Sequence, residues 1–487
     1  MTAPYPLNHS LSLLKRLISQ QAPRSLAPAH HYIYLTGEVV HSRPGTDREL
    51  PFRQDSQFAY LTGCDVPGSA FTLSYEHPGG DKVDESKVET RLWLPEVDQD
   101  EVMWCGLPPS PSDLSKTLHF TSITAGWTRT SLFPPPPSNR ALPTIIHTLP
   151  SVQGPTSLIA SINGPTTTFE YLEKALHEAR RVKSREEVEK MRKASEITAG
   201  AHRELMRLVG EGKVGDENAA EAEFVAYCRK KGAKWQAYSP IMASGTNGAT
   251  LHYIPNDRTF PQEGSLLLVD AGAEWDNYAA DVTRGIPIGN GGRFTKECKE
   301  IYELVLEMQL KAFELVKPGT NWEDIQRLMH DILARGLLRL GIFAPPPSSS
   351  SEDEHVARLI REGLTSAFYP HGVGHLLGLD VHDVGGLPEG KSTTEPILKY
   401  LRLQKVPLEE GFVVTVEPGC YFNEHLFAPF KNSGLVDHDK LQQYWYVGGV
   451  RIEDNLLVTA DGYDNLTPSF LPKTVVEVEA VTTGGKA

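Results

Sequence analysis

Cysteine is scarce in this chain of 487 residues, which holds Cys64, Cys105, Cys228, Cys298 and Cys420 and no CxxC pair. The five are scattered and odd in number, which argues against a disulfide scaffold and a zinc–thiolate site. A reducing compartment, the cytoplasm, is the expected location. Apolar runs are short, and none approaches the roughly 18 residues of a membrane span. The first segment, MTAPYPLNHSLSLLKRLISQQAP, has no charged stretch followed by a clean apolar one, so neither secretion nor membrane spanning is expected. Positive charge is also in deficit. There are 48 basic against 62 acidic residues, a formal charge of -14. That excludes a general nucleic-acid or anionic-membrane surface, though not a local basic pocket.

What is present suits a folded chain, with 40% hydrophobic and 23% charged residues. The length exceeds one comfortable core, so two domains are expected, at 1–180 and 181–487. The first reads as mixed α/β. SLSLLKRLISQ has helical periodicity. HYIYLTG, FAYLTG, SAFTLSYE, TRLWLPE and SLIASING read as strands, and Phe133 to Pro143 as a stiff proline-rich connection. A helical tract begins near Thr167. Within it Ser184 can cap, with Glu187 three residues on. CKEIYELVLEMQLKAFELV and TNWEDIQRLMHDILARGLLRLG are two further helices, broken by KPG, and Ala344 to Glu354 reads as an exposed loop. Strand-like runs alternating with long helices predict an α/β or α+β second domain.

Candidate chemistry is confined to that second domain. Asp270 ends the apolar run LLLVD, Gly272 permits a bend or close approach, and Asp281 follows on a second extended stretch. Paired antiparallel strands would join the two carboxylates as hard-cation ligands. Two polar strand ends near a turn would look the same. YPHGVGHLLGLDVHD carries His371, His375 and His382 among glycines, without the HExxH spacing. Glu417 ends another apolar run, stopped by Pro418 and Gly419. Glu453 alternates with Arg451 along one more strand, which fits either a ligand with its orienting arginine or a surface ion pair. His252 follows a glycine-rich loop. One imidazole and four carboxylates suit two divalent ions, manganese before cobalt or zinc, although spacing alone does not establish the set.

These motifs resemble the pita-bread metallopeptidases, the family of methionine aminopeptidase, aminopeptidase P, creatinase and prolidase. The resemblance implies an α+β, creatinase/aminopeptidase-like catalytic domain preceded by a smaller mixed α/β domain that takes part in dimerisation and roofs the active site. It implies the ligands Asp270, Asp281, His375, Glu417 and Glu453 for two Mn2+, with Asp281 and Glu453 bridging. It implies Glu417 as proton shuttle, His382 as a catalytic histidine at the scissile carbonyl, and His252, His371, Arg402 and Arg451 around the substrate. FAYLTG, LDVHDVGGLPEG and EPILKYLR are similar to the prolidase and aminopeptidase P branch, nearest to eukaryotic Xaa-Pro dipeptidase. Arg402 matches the arginine that meets the substrate carboxylate there, with one extra residue before Gly411. The implied activity is hydrolysis of Xaa-Pro dipeptides by a homodimer. The alternatives are an Xaa-Pro aminopeptidase acting on longer peptides, a creatinase-like hydrolase and a binding protein without catalysis.

Overall fold

A computed structural model describes residues 5–20, 27–80, 82–126, 132, 142–150, 166–386, 395–404 and 406–484. The chain divides into two compact units, Met1–Arg180 and Arg181–Ala487. The strand expected at SLIASING, most of the Phe133 to Pro143 connection and the end of LDVHDVGGLPEG lie outside the described residues. No helix among those described is long and apolar enough to cross a membrane. All five cysteines are free.

Among the described residues the N-terminal unit is built on a sheet with strands β1 (Ala29–Thr36), β2 (Ala70–His77), β3 (Glu89–Leu94), β4 (Ser122–Ala125), β5 (Thr144–His147) and β6 (Thr166–Thr168), in the order β4-β3-β2-β1-β5-β6. β1 and β2 are buried along nearly their whole length, as expected for central strands rich in aromatic and β-branched residues. FAYLTG is not a strand. It lies in the helix Ser56–Thr62, because the Asp55 side chain accepts from Phe58 N and Gly63 closes the C-terminus with a left-handed φ of 60°. Capping here overrides an aromatic composition that favours strands. The helical tract also begins later than Thr167. Thr166–Thr168 pairs as β6, and the helices are Leu172–Arg181 and Arg185–Gly210.

In the second unit the helix Arg185–Gly210 opens on the expected capping box, with Glu187 N donating to Ser184 Oγ at 3.3 Å and Ser184 N to Glu187 Oε2 at 2.7 Å. It packs with the helices Lys296–Phe313 and Trp322–Arg339 on one continuous apolar core. The strands are β7 (Trp235–Gln236), β8 (Ile241–Ser244), β9 (Ser265–Asp270), β10 (Ala273–Trp275), β11 (Tyr278–Ala279), β12 (Thr283–Ile288), β13 (Val413–Val416), β14 (Gly419–Tyr421), β15 (Gly449–Arg451), β16 (Asp454–Val458) and β17 (Tyr463–Asn465). They form short antiparallel groups, β12-β9-β8, β11-β10-β7, β13-β16-β17 and β14-β15. β9 and β13 are buried throughout, which is why SLLLVD and VVTV are continuous rather than alternating apolar runs. Ala344 to Ser351 is irregular as expected, but SSEDE starts a helix at Glu352, capped by Ser351.

Candidate active site

The acids converge because strand ends converge. β9 and β12 pair antiparallel with Thr283 opposite Asp270, and the chain between them forms the small β10–β11 hairpin. Asp281 therefore lies beside the end of β9. Gly272 makes this possible by close approach, since a Cβ there would sit 1.8 Å from the Ala280 carbonyl oxygen. Glu417 follows the last residue of β13, and Glu453 falls between β15 and β16. Arg451 and Glu453 are thus not on one unbroken strand. The chain changes sheet between them, from β15 to β16, yet both side chains meet at Thr283.

Each candidate ligand is fastened through its backbone neighbours. Gln309 donates to the carbonyls of Val416 and Ile452 at 3.1 and 3.0 Å, the residues just before the two glutamates. Trp322 Nε1 donates to Gly374 O at 3.1 Å, just before His375. Arg284, buried with Asp454, donates to Glu453 O at 2.8 Å. Thr198 and His202 of the helix Arg185–Gly210 hold the Ala273 amide and the Ala271 carbonyl just after Asp270, at 2.9 and 3.1 Å. With its amide turned to satisfy both neighbours, Asn455 donates to Asp281 O at 2.6 Å and accepts from Asp281 N at 3.2 Å.

His375 donates from Nδ1 to Leu376 O at 3.0 Å, which leaves Nε2 facing Asp281 Oδ2 and Glu417 Oε1, each at 3.5 Å. That tautomer presents a lone pair to the acids. Donor atoms of Asp281, His375 and Glu453 lie within 4.8 Å of one another, all buried, and form a metal-binding cluster. Arg451 donates to Asp270 Oδ2, to Thr283 Oγ1 at 3.1 Å and to Tyr421 OH at 2.8 Å. Thr283 in turn donates to Glu453 Oε2 at 2.7 Å. Tyr238 OH lies 2.5 Å from both Asp270 Oδ1 and Asp281 Oδ1.

Burial and the other acids push the Glu417 carboxyl up to about 7 and Glu453 well above the usual carboxylate range. Asp270 is also raised by burial, against the pull of Arg451. Burial opposes ionisation of Asp281 as well, but the neighbouring His375 and the hydrogen bond from Tyr238 hold it below the ordinary value. Four acidic side chains thus crowd a buried site with Arg451 as the nearest fixed positive charge. That inventory calls for more positive charge, and hard divalent cations match these oxygen and imidazole donors.

All the residues singled out from the sequence line one cavity of about 1100 Å³: His252, Asp270, Asp281, His371, His375, His382, Arg402, Glu417, Arg451 and Glu453. His382 stands edge-on to His375 with ring centres 4.4 Å apart, and its imidazole is lowered to about 3 by burial and by the neighbouring His375 and Arg402. His371 shares a 2.8 Å hydrogen bond with Tyr421 OH and is likewise lowered to about 3, chiefly by burial. Arg402 sits on the exposed lip with Lys399 and Tyr400. Sequence reasoning missed Tyr238, which carries no spacing signal, and Thr283, which alternation from Asp281 would have placed on the same face.

Residues 189–460 match metallopeptidase family M24, and residues 12–127 match the aminopeptidase P N-terminal domain. A probable Xaa-Pro aminopeptidase of Paracoccidioides brasiliensis is 38% identical over 93% of this chain and 92% of its own. One of Tuber melanosporum is 39% identical over 89% and 88%. Zinc-substituted Escherichia coli aminopeptidase P in complex with product superposes with a TM-score of 0.75 at 27% identity, covering 98% of this chain and 99% of that one. Proline aminopeptidase P II from Yersinia pestis gives 0.73 at 27% identity, over 97% and 99%. These likenesses overturn the expectation that eukaryotic Xaa-Pro dipeptidase is nearest. That expectation leaned on two short segments, LDVHDVGGLPEG and EPILKYLR, the second of which exposes Tyr400 and Arg402 and buries Ile397, Leu398 and Leu401. Two short segments carry little weight against agreement along the whole chain.

Proposed function

This chain belongs to metallopeptidase family M24, and from that premise we propose that it is an Xaa-Pro aminopeptidase, which removes the N-terminal residue from peptides with proline in second place. Its catalytic unit has the pita-bread fold, preceded by a mixed α+β N-terminal domain of aminopeptidase P type. The dipeptidase reading is corrected by the relatives, which are named as Xaa-Pro aminopeptidases or aminopeptidase P. The observation that carries the reading within this chain is the cavity. At about 1100 Å³ it runs from the buried acids to exposed Ile254, Tyr400 and Arg402, and it matches the upper range of sites that hold drug-sized ligands. A peptide longer than two residues has room to continue along it.

Asp281, His375 and Glu453 form the heart of the metal centre, with Asp270 and Glu417 completing a set for two Mn2+, or Co2+ or Zn2+. Asp281 and Glu453, both in the tight cluster with His375, would be the acids shared between the two ions. When bound, such ions supply an activated water and polarise the scissile carbonyl. The protein supplies the rest. The leaving proline nitrogen carries no hydrogen in the peptide and needs a proton as it departs. Glu417, which lines the cavity beside His375, would take the proton of the attacking water and pass it to that nitrogen. Neutral His382 donates a hydrogen bond to the carbonyl oxygen. Arg451 orients Asp270, while His252 and His371 bound the pocket around the substrate. A cytoplasmic homodimer is the expected state, with the N-terminal unit contributing to the pairing; light scattering at micromolar concentration checks it, and a monomer there rejects it. The test of the activity compares Ala-Pro-Ala with Ala-Pro on the manganese-loaded chain. Faster release of alanine from the tripeptide is expected. Preference for the dipeptide overturns the reading.

A further inference from the structure

Glu217 is the first residue of the helix Glu217–Lys230 and is fully buried. Its carboxylate accepts five hydrogen bonds. Oε1 takes Ser244 N at 2.8 Å, Ser244 Oγ at 2.7 Å and Asn247 Nδ2 at 2.9 Å. Oε2 takes Tyr253 OH at 2.9 Å and Arg258 N at 3.0 Å. All five donors come from one segment, 244–258. Burial alone would raise this carboxyl, and the donors hold it below its usual range instead.

One helical turn on, Glu221 accepts from Asn256 Nδ2 at 2.7 Å. Asn256 sits in the same segment with a left-handed φ of 46°, and its Oδ1 accepts from Met242 N at 2.9 Å. One helix face therefore fastens both ends and the middle of the segment. The far side is fixed too. Asn423 Nδ2 donates to Ala249 O at 2.9 Å, and a Cβ on Gly248 would lie 3.2 Å from Gly449 N. The segment's purpose shows in where its side chains go. Tyr253 turns back to Glu217, while Leu251, His252 and Ile254 line the substrate cavity.

We propose that Glu217 is a positioning residue for substrate: by holding Ser244, Asn247, Tyr253 and Arg258 it sets the cavity wall made by Leu251, His252 and Ile254. The proposal rests on the aminopeptidase reading above. The chemistry demands a carboxylate at this place. A carboxylate accepts with both oxygens, whereas an amide offers one acceptor oxygen and an NH2 that only donates. E217Q keeps the shape yet turns an NH2 toward a backbone amide, of Ser244 or of Arg258, that cannot rotate away.

The experiment measures E217Q and Y253F beside wild type, on Ala-Pro-Ala with manganese and by hydrogen exchange on the metal-free chain. For E217Q we expect KM to rise about ten-fold, the scale of a lost hydrogen bond to a charged group. kcat should stay within about two-fold, with metal content unchanged. Exchange should quicken about ten-fold across 244–258 and stay the same across 413–421 and 449–458. Y253F removes one of the five donors without touching the charge, so a smaller change of the same kind is expected, and it carries the test where E217Q does not fold. Unchanged KM and exchange in Y253F, or a parallel loss of kcat and metal in E217Q, overturns the proposal. A wild-type chain that leaves Ala-Pro-Ala intact refutes the aminopeptidase reading alone, and the exchange measurement then still decides the role of Glu217.

Discussion

In the N-terminal sheet, His31 on β1 and His147 on β5 share a 3.0 Å hydrogen bond, and the His77 ring lies 5.9 Å from that of His31. In the catalytic unit, His375 and His382 stand edge-on at 4.4 Å. His31, His147 and His375 are all buried. Their protonation runs in opposite directions. Burial lowers His31 to about 4 and His147 to about 3, and the neighbouring imidazoles add to the effect. Burial also works against His375, but Asp281 and Glu417 outweigh it and raise that imidazole. Residue type and burial are shared, and what differs is the partner. An imidazole among imidazoles is a neutral packing group, whereas one facing two carboxylates belongs to a charged centre that suits metal and proton chemistry.

The strongest way to break this contrast is to remove the acids. D281A or E453A should cut turnover of Ala-Pro-Ala to below about a thousandth of wild type and release metal, since each acid belongs to the tight cluster with His375. Kinetics and metal analysis check it, and wild-type activity with two metals per chain in E453A would disprove the ligand assignment. E417Q separates metal binding from proton handling. Shape is kept and the titrating group is lost, so kcat should fall about 100-fold or more while metal remains, at reduced occupancy. Near-normal kcat in the metal-loaded variant rejects the shuttle.

The same contrast explains what was legible from sequence. Asp270, Asp281, His375, Glu417 and Glu453 stand beside turns or at the ends of apolar runs, and a glycine or proline within two residues of Asp270, His375 and Glu417 makes those three visible. Their convergence was not visible from spacing. It depends on Gln309, Trp322, Arg284, Thr198 and His202, which lie on helices or mid-strand and look like ordinary core polar residues. Tyr238 was hidden for the same reason. In the fold, periodicity revealed the long helices and the strands β1, β2 and β3, because each buries one face or both. It misread Ser56–Thr62, where seven residues are too few for a period and the caps Asp55 and Gly63 decide. The substrate-length error had another source. It rested on two short segments, which weigh little against agreement along the whole chain.

Acid should expose the neutral side of the contrast. An unfolded histidine titrates near 6.5. His31 and His147 titrate lower in the folded chain, so at intermediate pH the unfolded chain binds more protons. Their stability contribution is therefore full above about pH 7 and is lost as pH falls toward 4. For His31 the loss between pH 7 and pH 5 is about 2 kcal/mol. The two rings share one hydrogen bond, so their losses do not add. Other buried histidines, such as His202 and His330, contribute with the same sign. The informative quantity is thus the difference between wild type and H147L. Urea unfolding at pH 7 and pH 5 should show a smaller acid loss in H147L. An equal loss in both would mean that the pair is not what acid acts on.

The smallest effect is expected at Arg402, the cation on the cavity lip. Unlike Arg451, buried against Asp270, it is exposed to solvent. A carboxylate that meets it there forms an exposed ion pair, worth about 1 kcal/mol at most. A longer peptide also carries its terminal charge farther from the scissile bond than a dipeptide does. R402A should therefore raise KM for Ala-Pro-Ala by no more than about five-fold, leave Ala-Pro-Ala-amide unchanged and spare kcat. Added salt should shrink even that difference, because exposed charges are screened. The measurement is a set of Michaelis curves for Ala-Pro, Ala-Pro-Ala and the amidated tripeptide on both proteins. A rise of 100-fold for Ala-Pro with the tripeptides untouched would mean that the lip clamps a dipeptide carboxylate in a dry geometry, and the aminopeptidase reading would fall with it.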